Sequence, residues 1–364
     1  MPVPTSKESA VRTKPNPVES TDVATDPDSS DAPELTPAGQ TTSPYFFGID
    51  VGGTGIKIGL VDRQGRTVAY DKMPTRQADG PAVACSRIGE LCREIAGVIG
   101  GLSEVTATGL GCPGPLNLQD GTVVAAPQLK SWWGFNLRDA VSKSLGMPVT
   151  LLNDANAAAY GEFWLGSGRG SDSLVMLTLG TGVGGGIIVD GTLVNGKNSC
   201  GSECGHLIVD SSLDAPLCPC GGRGHLEAYA SASAVVRRTR ERLAAGEPSS
   251  LSDDASLTAL SVYHAATAQD PLALSILDET ARWLGIGVSS LVHTIDPGAV
   301  VLGGAMDFGG IGDLVGERFL AGVRNEFHAR AFEAVHAGTS IRFARLGGHA
   351  GYLGAAGYAI RDAA

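Results

Sequence analysis

"LTLGTGVGGGIIVDGTLV", residues 177–194, decides the fold of this chain. An apolar run enters a loop with glycines at 180, 182, 184, 185 and 186, and a second apolar run leaves it. Glycine loops let backbone amides close on a phosphate, and "GTGVGG" fits the dinucleotide fingerprint G-x-G-x-x-G. That fingerprint requires a helix to start at the loop. Here "IIVDGTLV" follows, β-branched and broken by an Asp-Gly turn, which predicts a hairpin. The P-loop signature G-x-x-x-x-G-K-[ST] does not occur either.

The same order of strand, glycine turn, strand, Asp, turn, strand stands earlier in "FFGID-VGGTG-IKIGLVD-RQGRTV", residues 46–68. Two copies of one unit, each a domain, predict a cleft between them. Two glycine hairpins facing each other across that cleft suit the triphosphate of ATP. Strands are predicted at 45–50, 56–61, 67–73, 106–112 and 148–153, with helices over 81–99 and near 136–145. An Ala-rich helix follows directly in "ANAAAYGEFWL". The second copy adds helices near 226–245, 271–293 and 311–330 and strands 299–303 and 339–346. A last helix covers 351–362.

With 364 residues the chain has room for two cores, and 43% hydrophobic against 18% charged residues is ordinary for a globular enzyme. A formal net charge of -11, with no Lys/Arg-rich face, argues against nucleic acid. Neither a charge-free apolar span nor a secretory signal is visible, so no membrane contact and a cytoplasmic setting are expected. In residues 1–44, Ser, Thr and Pro fill 21 positions and acids outnumber bases, the composition of a disordered tail. Cys85, Cys92 and Cys112 read as small buried hydrophobes rather than disulfides.

Asp50 closes the first strand, just before Gly52, Gly53 and Thr54. A carboxylate there can hold Mg²⁺ through water while the glycines approach phosphates, although a lone Asp in this place is more often a turn residue. Asp154 stands where a strand becomes a helix. It is either the N-cap of the Ala-rich helix or a carboxylate aimed into the cleft, within reach of a substrate hydroxyl. An ordinary pKa near ~3.9 would serve the second role. In "GSECGHLIVDSSLDAPLCPCGGRGHLE", residues 201–227, His206, Cys218, Cys220 and His225 supply four N/S donors, enough for tetrahedral Zn²⁺. Their spacing is not the common C-x₂-C, so free thiols remain the competing reading. Trp132 and Trp133 read as core residues.

Together "GIDVGGTGIK", "LLNDANAAAYGE", "LGTGVGGG", "GSECGH" and "CPCGGRGHLE" resemble the ROK family of sugar kinases and sugar-responsive repressors, from about residue 45 onward. The resemblance implies an α/β, actin-like ATPase (ribonuclease H-like) fold of two domains around a central cleft. The domains would be 45–155 plus 351–364, and 156–350 with the zinc loop. It implies phosphate roles for Asp50, Gly52, Gly53, Thr54, Thr181 and Gly182, and an adenosine side at Gly303 and Gly304. Asp154 becomes the catalytic base, and Asn153, Asp154, Glu203, His206 and Glu227 become sugar contacts. ATP, Mg²⁺ and structural Zn²⁺ are the implied cofactors, and a homodimer the implied assembly.

The implied activity is transfer of the ATP γ-phosphoryl to the 6-OH of glucose or a related hexose. The alternatives are a sugar-responsive transcriptional regulator and a sugar sensor without catalysis. Two positions depart from the family pattern. His225 stands at the third cysteine of C-x-C-G-x-x-G-C-x-E, and Ser202 replaces a Gly before Glu203. Cys200 and Cys204 match no family ligand.

Overall fold

The computed structural model describes residues 33–252 and 254–363. The first unit opens with β1 (Tyr45–Val51), β2 (Gly55–Asp62) and β3 (Thr67–Pro74), the expected antiparallel meander. Then come α1 (Pro81–Ala96), β4 (Val105–Cys112), the small hairpin β5 (Leu116–Asn117) and β6 (Thr122–Val123), α2 (Leu137–Leu145) and β7 (Val149–Asn153). The sheet order is β3-β2-β1-β4-β7, with β4 and β7 parallel to β1.

After α3 (Asp154–Trp164) the plan repeats. It uses β8 (Leu174–Leu179), β9 (Val183–Val189), β10 (Thr192–Leu193), α4 (Glu227–Ala230), α5 (Ala232–Ala244), α6 (Ala259–Thr267) and α7 (Pro271–Ile295). It continues with β11 (Ala299–Gly303), α8 (Leu314–Arg330), α9 (Glu333–Gly338), β12 (Ser340–Phe343) and α10 (Ala350–Asp362). The second sheet runs β10-β9-β8-β11-β12, the same permutation as the first. Residues 183–193 form a hairpin and not a helix, as the Asp-Gly turn requires.

Strand alternation explains how the layers are held. Tyr45, Phe47, Ile49 and Val51 join α1 residues Ala84, Ile88 and Cys92 in one core. Phe46 faces the other way, onto Tyr352 and Ala356 of α10. On that face a side chain at Gly48 or Gly109 would strike the α10 backbone at Tyr352 or Ala355, so the helix lies directly on the sheet. In the second unit Val175, Leu177 and Leu179 face a core shared with α7 and α8, while Leu174 and Met176 meet Ala157 and Ala159 of α3. Thus α3 covers the second sheet and α10 the first. The two helices touch backbone to backbone where Gly161 meets Ala350 and Gly354 meets Ala157.

Several boundaries differ from the sequence reading. The helix expected over 226–245 is split at Ser231, whose extended backbone lets its Oγ accept from Ala234 N at 3.1 Å and cap α5. The helix expected from 311 starts at 314 because Asp313 caps it. A capping box at Thr258 starts α6, which apolar spacing alone did not announce. Residues 33–44, expected as the end of a disordered tail, carry structure: Thr36 N–H donates to Thr67 O at 2.8 Å and a 3-10 turn spans Ala38–Gln40. The rest of that tail, 1–32, lies outside the described residues. Cys85, Cys92 and Cys112 are buried free thiols. Trp132 is fully buried, but Trp133 is 50% exposed and donates its ring N–H to Ala126 O at 2.8 Å.

Candidate active site

Asp50 shares the alternation of Phe46 and Gly48, so its carboxylate is sent toward the start of α10 and lies against Gly351. Burial, and then the charge of Asp154, push its pKa up to about 7, against the pull of Lys57. The sequence alone does not mark Lys57 as part of the site, because nothing in it tells which strand face meets a carboxylate. Its Nζ also donates to Gly348 O at 3.1 Å, tying β2 to the connector before α10.

The turn after Asp50 is fixed by its neighbours. Gly52 N–H donates to Gly55 O at 2.8 Å, Thr75 Oγ1 to Gly52 O at 2.7 Å, and Gln77 Nε2 to Gly53 O at 2.7 Å. Thr54 at its tip is exposed. The corresponding turn of the second unit is held by α5: Ala232 N–H donates to Gly180 O at 2.8 Å and Ser233 Oγ to Thr181 O at 2.9 Å. Gly182 packs against the Glu227 carboxylate. Gly303 ends β11 beside Thr178, and Gly304, at φ +96, turns the chain against the backbone of Leu179. Gly303 and Gly304 therefore adjoin the Gly180–Gly182 turn.

At the β7–α3 junction the cap is Asn153, not Asp154: Asn153 Oδ1 accepts from Ala155 N at 3.0 Å and Asn156 N at 3.2 Å. Asp154 is the first helical residue and accepts from Ala155 N at 2.9 Å. Burial raises its pKa, backbone and Asn153 hydrogen bonds lower it, and the Glu203 charge raises it further. The ordinary carboxylate pKa expected from the sequence is thereby corrected, since sequence does not report desolvation. Asp50 pairs with Gly111 and Gly111 with Leu152, so Asp50 and Asp154 stand at the same end of the first sheet; Ser202 and Cys204, which flank Glu203, pack on Gly185, next to Gly184, which faces Ala155.

The loop from 203 to 227 brings the remaining candidates together. His206, Cys218, Cys220 and His225 present ligand atoms that all lie within 4.8 Å of one another. Cys218 Sγ is 3.8 Å from His206 Nδ1, and Cys220 Sγ is 3.2 Å from His225 Nδ1. Zinc bonds of about 2.0–2.3 Å span tetrahedral edges of roughly this size, and a two-thiol, two-imidazole set is chemically suited to that ion. The residues fit the metal. Turning Nδ1 toward the thiols leaves His206 Nε2 toward Glu203, 4.0 Å from Oε2. Cys200 and Cys204 stand outside the cluster. Ser202, the second departure, is buried; its Oγ donates to Val194 O at 2.8 Å and accepts from Ile187 N at 3.2 Å. The hydroxyl pins the 203 turn to β9, so the missing glycine is replaced by a tie.

The ROK family profile matches residues 46–362, nearly all of the described chain. A glucokinase of Halalkalibacterium halodurans is 35% identical over 315 residues, covering 85% of this chain and 93% of that protein. The chain belongs to the ROK family. A crystal structure of a ROK family glucokinase from Streptomyces griseus, in complex with glucose and AMPPNP, superposes with a TM-score of 0.68 at 33% identity, over 87% of this chain and 99% of that one. A ROK family transcriptional regulator, a homologue of the E. coli MLC protein, superposes with a TM-score of 0.76 at 25% identity, over 88% and 79%. The actin-like ATPase fold expected for this ROK chain is borne out by these neighbours and by its two matching sheets. Among the described residues, no helix is long and apolar enough to cross a membrane.

Proposed function

We propose that this ROK chain is an ATP-dependent hexose kinase that transfers the γ-phosphoryl to the 6-OH of glucose or a related hexose. The observation that carries the reading is the placement of Asp50 and Asp154 at one end of the first sheet, with the residues flanking Glu203 packed on β9 next to the glycine that faces Ala155. Kinship with glucokinases supports it, and the H. halodurans protein covers most of the chain.

In this reading the turns at Gly52–Thr54 and Gly180–Gly182 receive the phosphates, with Gly303 and Gly304 on the adenosine side. Asp50 would hold Mg²⁺, which when bound neutralises charge on the transferred phosphoryl. Asn153, Glu203, His206 and Glu227 orient the sugar through hydroxyl hydrogen bonds. Asp154 accepts the proton of the attacking hydroxyl late in a loose transition state, where positioning matters more than basicity. His206, Cys218, Cys220 and His225 would hold Zn²⁺ as a structural ion, fixing the loop that carries Glu227. Closing the lobes over the sugar excludes water and suppresses hydrolysis of ATP.

A coupled assay for ADP release with glucose, paired with a gel shift on DNA, tests the reading against the regulator that shares the fold. Sugar-dependent ADP release supports it. Sugar binding without turnover, with DNA retained, overturns it.

A further inference from the structure

At the far end of α3 from Asp154, ~16 Å along its 11 residues, a cavity of about 630 Å³ opens between Leu165–Arg169 and Arg342–Leu346. Arg169, Arg342 and Arg345 line it, together with Ser167, and its lining holds no carboxylate. Arg342 is anchored by donating Nη1 to Ser167 O at 3.0 Å. The guanidinium groups of Arg169 and Arg345 make no hydrogen bond or ion pair among the described residues. Two other exposed arginines show how such groups are matched by acids: Arg318 lies 2.7 Å from Asp278, and Arg330 2.6 Å from Glu326.

Glu162 runs beneath the same segments but is committed elsewhere. Fully buried, it accepts Ser167 N at 2.7 Å, Arg345 N at 2.9 Å and Leu346 N at 2.7 Å. Three like charges around one concavity are costly without a counter-ion, and this chain, at -11, has acids to spare elsewhere. Guanidinium forks match phosphate oxygens in geometry and charge. Leu165 and Leu346 add apolar edges, and the volume exceeds what one inorganic ion fills.

We propose that this pocket binds a phosphate-bearing anion, a phosphomonoester or an oligophosphate, at a site separate from the cleft. Its walls are the exit of α3 and the entry to α10, the two helices that pack between the sheets. An occupant bridging Arg169 and Arg345 would tie the segment that follows α3 to the segment that precedes α10. The site does not depend on the chemistry proposed for the cleft.

The test is calorimetric titration of the full chain with sodium tripolyphosphate and, separately, with glucose 6-phosphate, at low ionic strength. Wild type is compared with R169Q/R345Q and the charge-preserving R169K/R345K. Binding of either probe that weakens at least tenfold in the Gln variant, and survives in the Lys variant, supports the site; the tighter probe identifies the source of the phosphate. Any binding in the cleft persists in both variants as a residual isotherm, so failure of the kinase reading would remove that residue alone. Equal affinity in wild type and R169Q/R345Q, or no binding of either probe to wild type at millimolar concentration, overturns the proposal. An unchanged unfolding temperature in R169Q/R345Q confirms that the variant is folded.

Discussion

Glu227 Oε2 accepts the backbone N–H of Val183 at 2.9 Å, and the Cys218 thiol donates to Oε1 of the same carboxylate at 3.6 Å. One side chain thus joins the four-donor cluster to the glycine turn of the second sheet. The loop proposed to position the sugar and the turn proposed to receive phosphate are thereby linked.

Disturbing the cluster should therefore be felt at both substrates. Cys220→Ser is expected to abolish zinc retention in native mass spectrometry and to raise the sugar KM about 10–100-fold, with a smaller rise for ATP. Retained zinc with wild-type kinetics would remove Cys220 from the metal set.

Asp154 tests the chemistry. Because Asn153 supplies the helix cap, Asp154→Ala should leave the unfolding temperature within the range of an ordinary surface change while kcat falls by roughly 10²–10⁴. Asn153→Ala is the converse: loss of its cap bonds should cost about 1 kcal/mol of stability, read by urea denaturation.

Asp50 gives a pH signature. Its folded pKa, raised from 3.8 to about 7 by burial and by Asp154, means that the folded, nucleotide-free protein binds the proton more tightly than the unfolded chain. The stabilisation is full below pH 3.8 and is lost as pH rises through about 7. Urea midpoints measured between about pH 5 and 8 should fall for the wild type and fall less for Asp50→Asn. Parallel slopes would show that Asp50 is not held in its neutral form. In the kinase reading, Mg·nucleotide binding near pH 7 should also release a proton, detectable by calorimetry in two buffers of different ionisation enthalpy.

The helix crossing is a steric prediction. At Gly354 a side chain would run into Ala157 O, so Gly354→Val should cost about 1–3 kcal/mol and reduce turnover. Gly338, in α9 with open space around its Cβ position, is the control: Gly338→Ala should be neutral or stabilising by up to about 1 kcal/mol. Equal thermal shifts in the two variants would contradict the close packing of α3 on α10.

Much of this molecule was legible in the chain itself. The Asp-Gly step after "GGGII" dictated a hairpin, and repetition of that order dictated two similar sheets, because period-2 burial and turn chemistry act over a few residues. The crowding of His206, Cys218, Cys220 and His225 was likewise local. Other properties arose only in three dimensions. The elevated pKa of Asp50 depends on Asp154, which lies in another strand–helix junction, and on burial that no neighbour in sequence reports. The Glu227–Val183 bond and the grouping of Arg169, Arg342 and Arg345 join segments far apart along the chain. Local conformation follows from covalent neighbours and short-range sterics, whereas charge state and ligand geometry follow from through-space distance, which the folded chain alone sets.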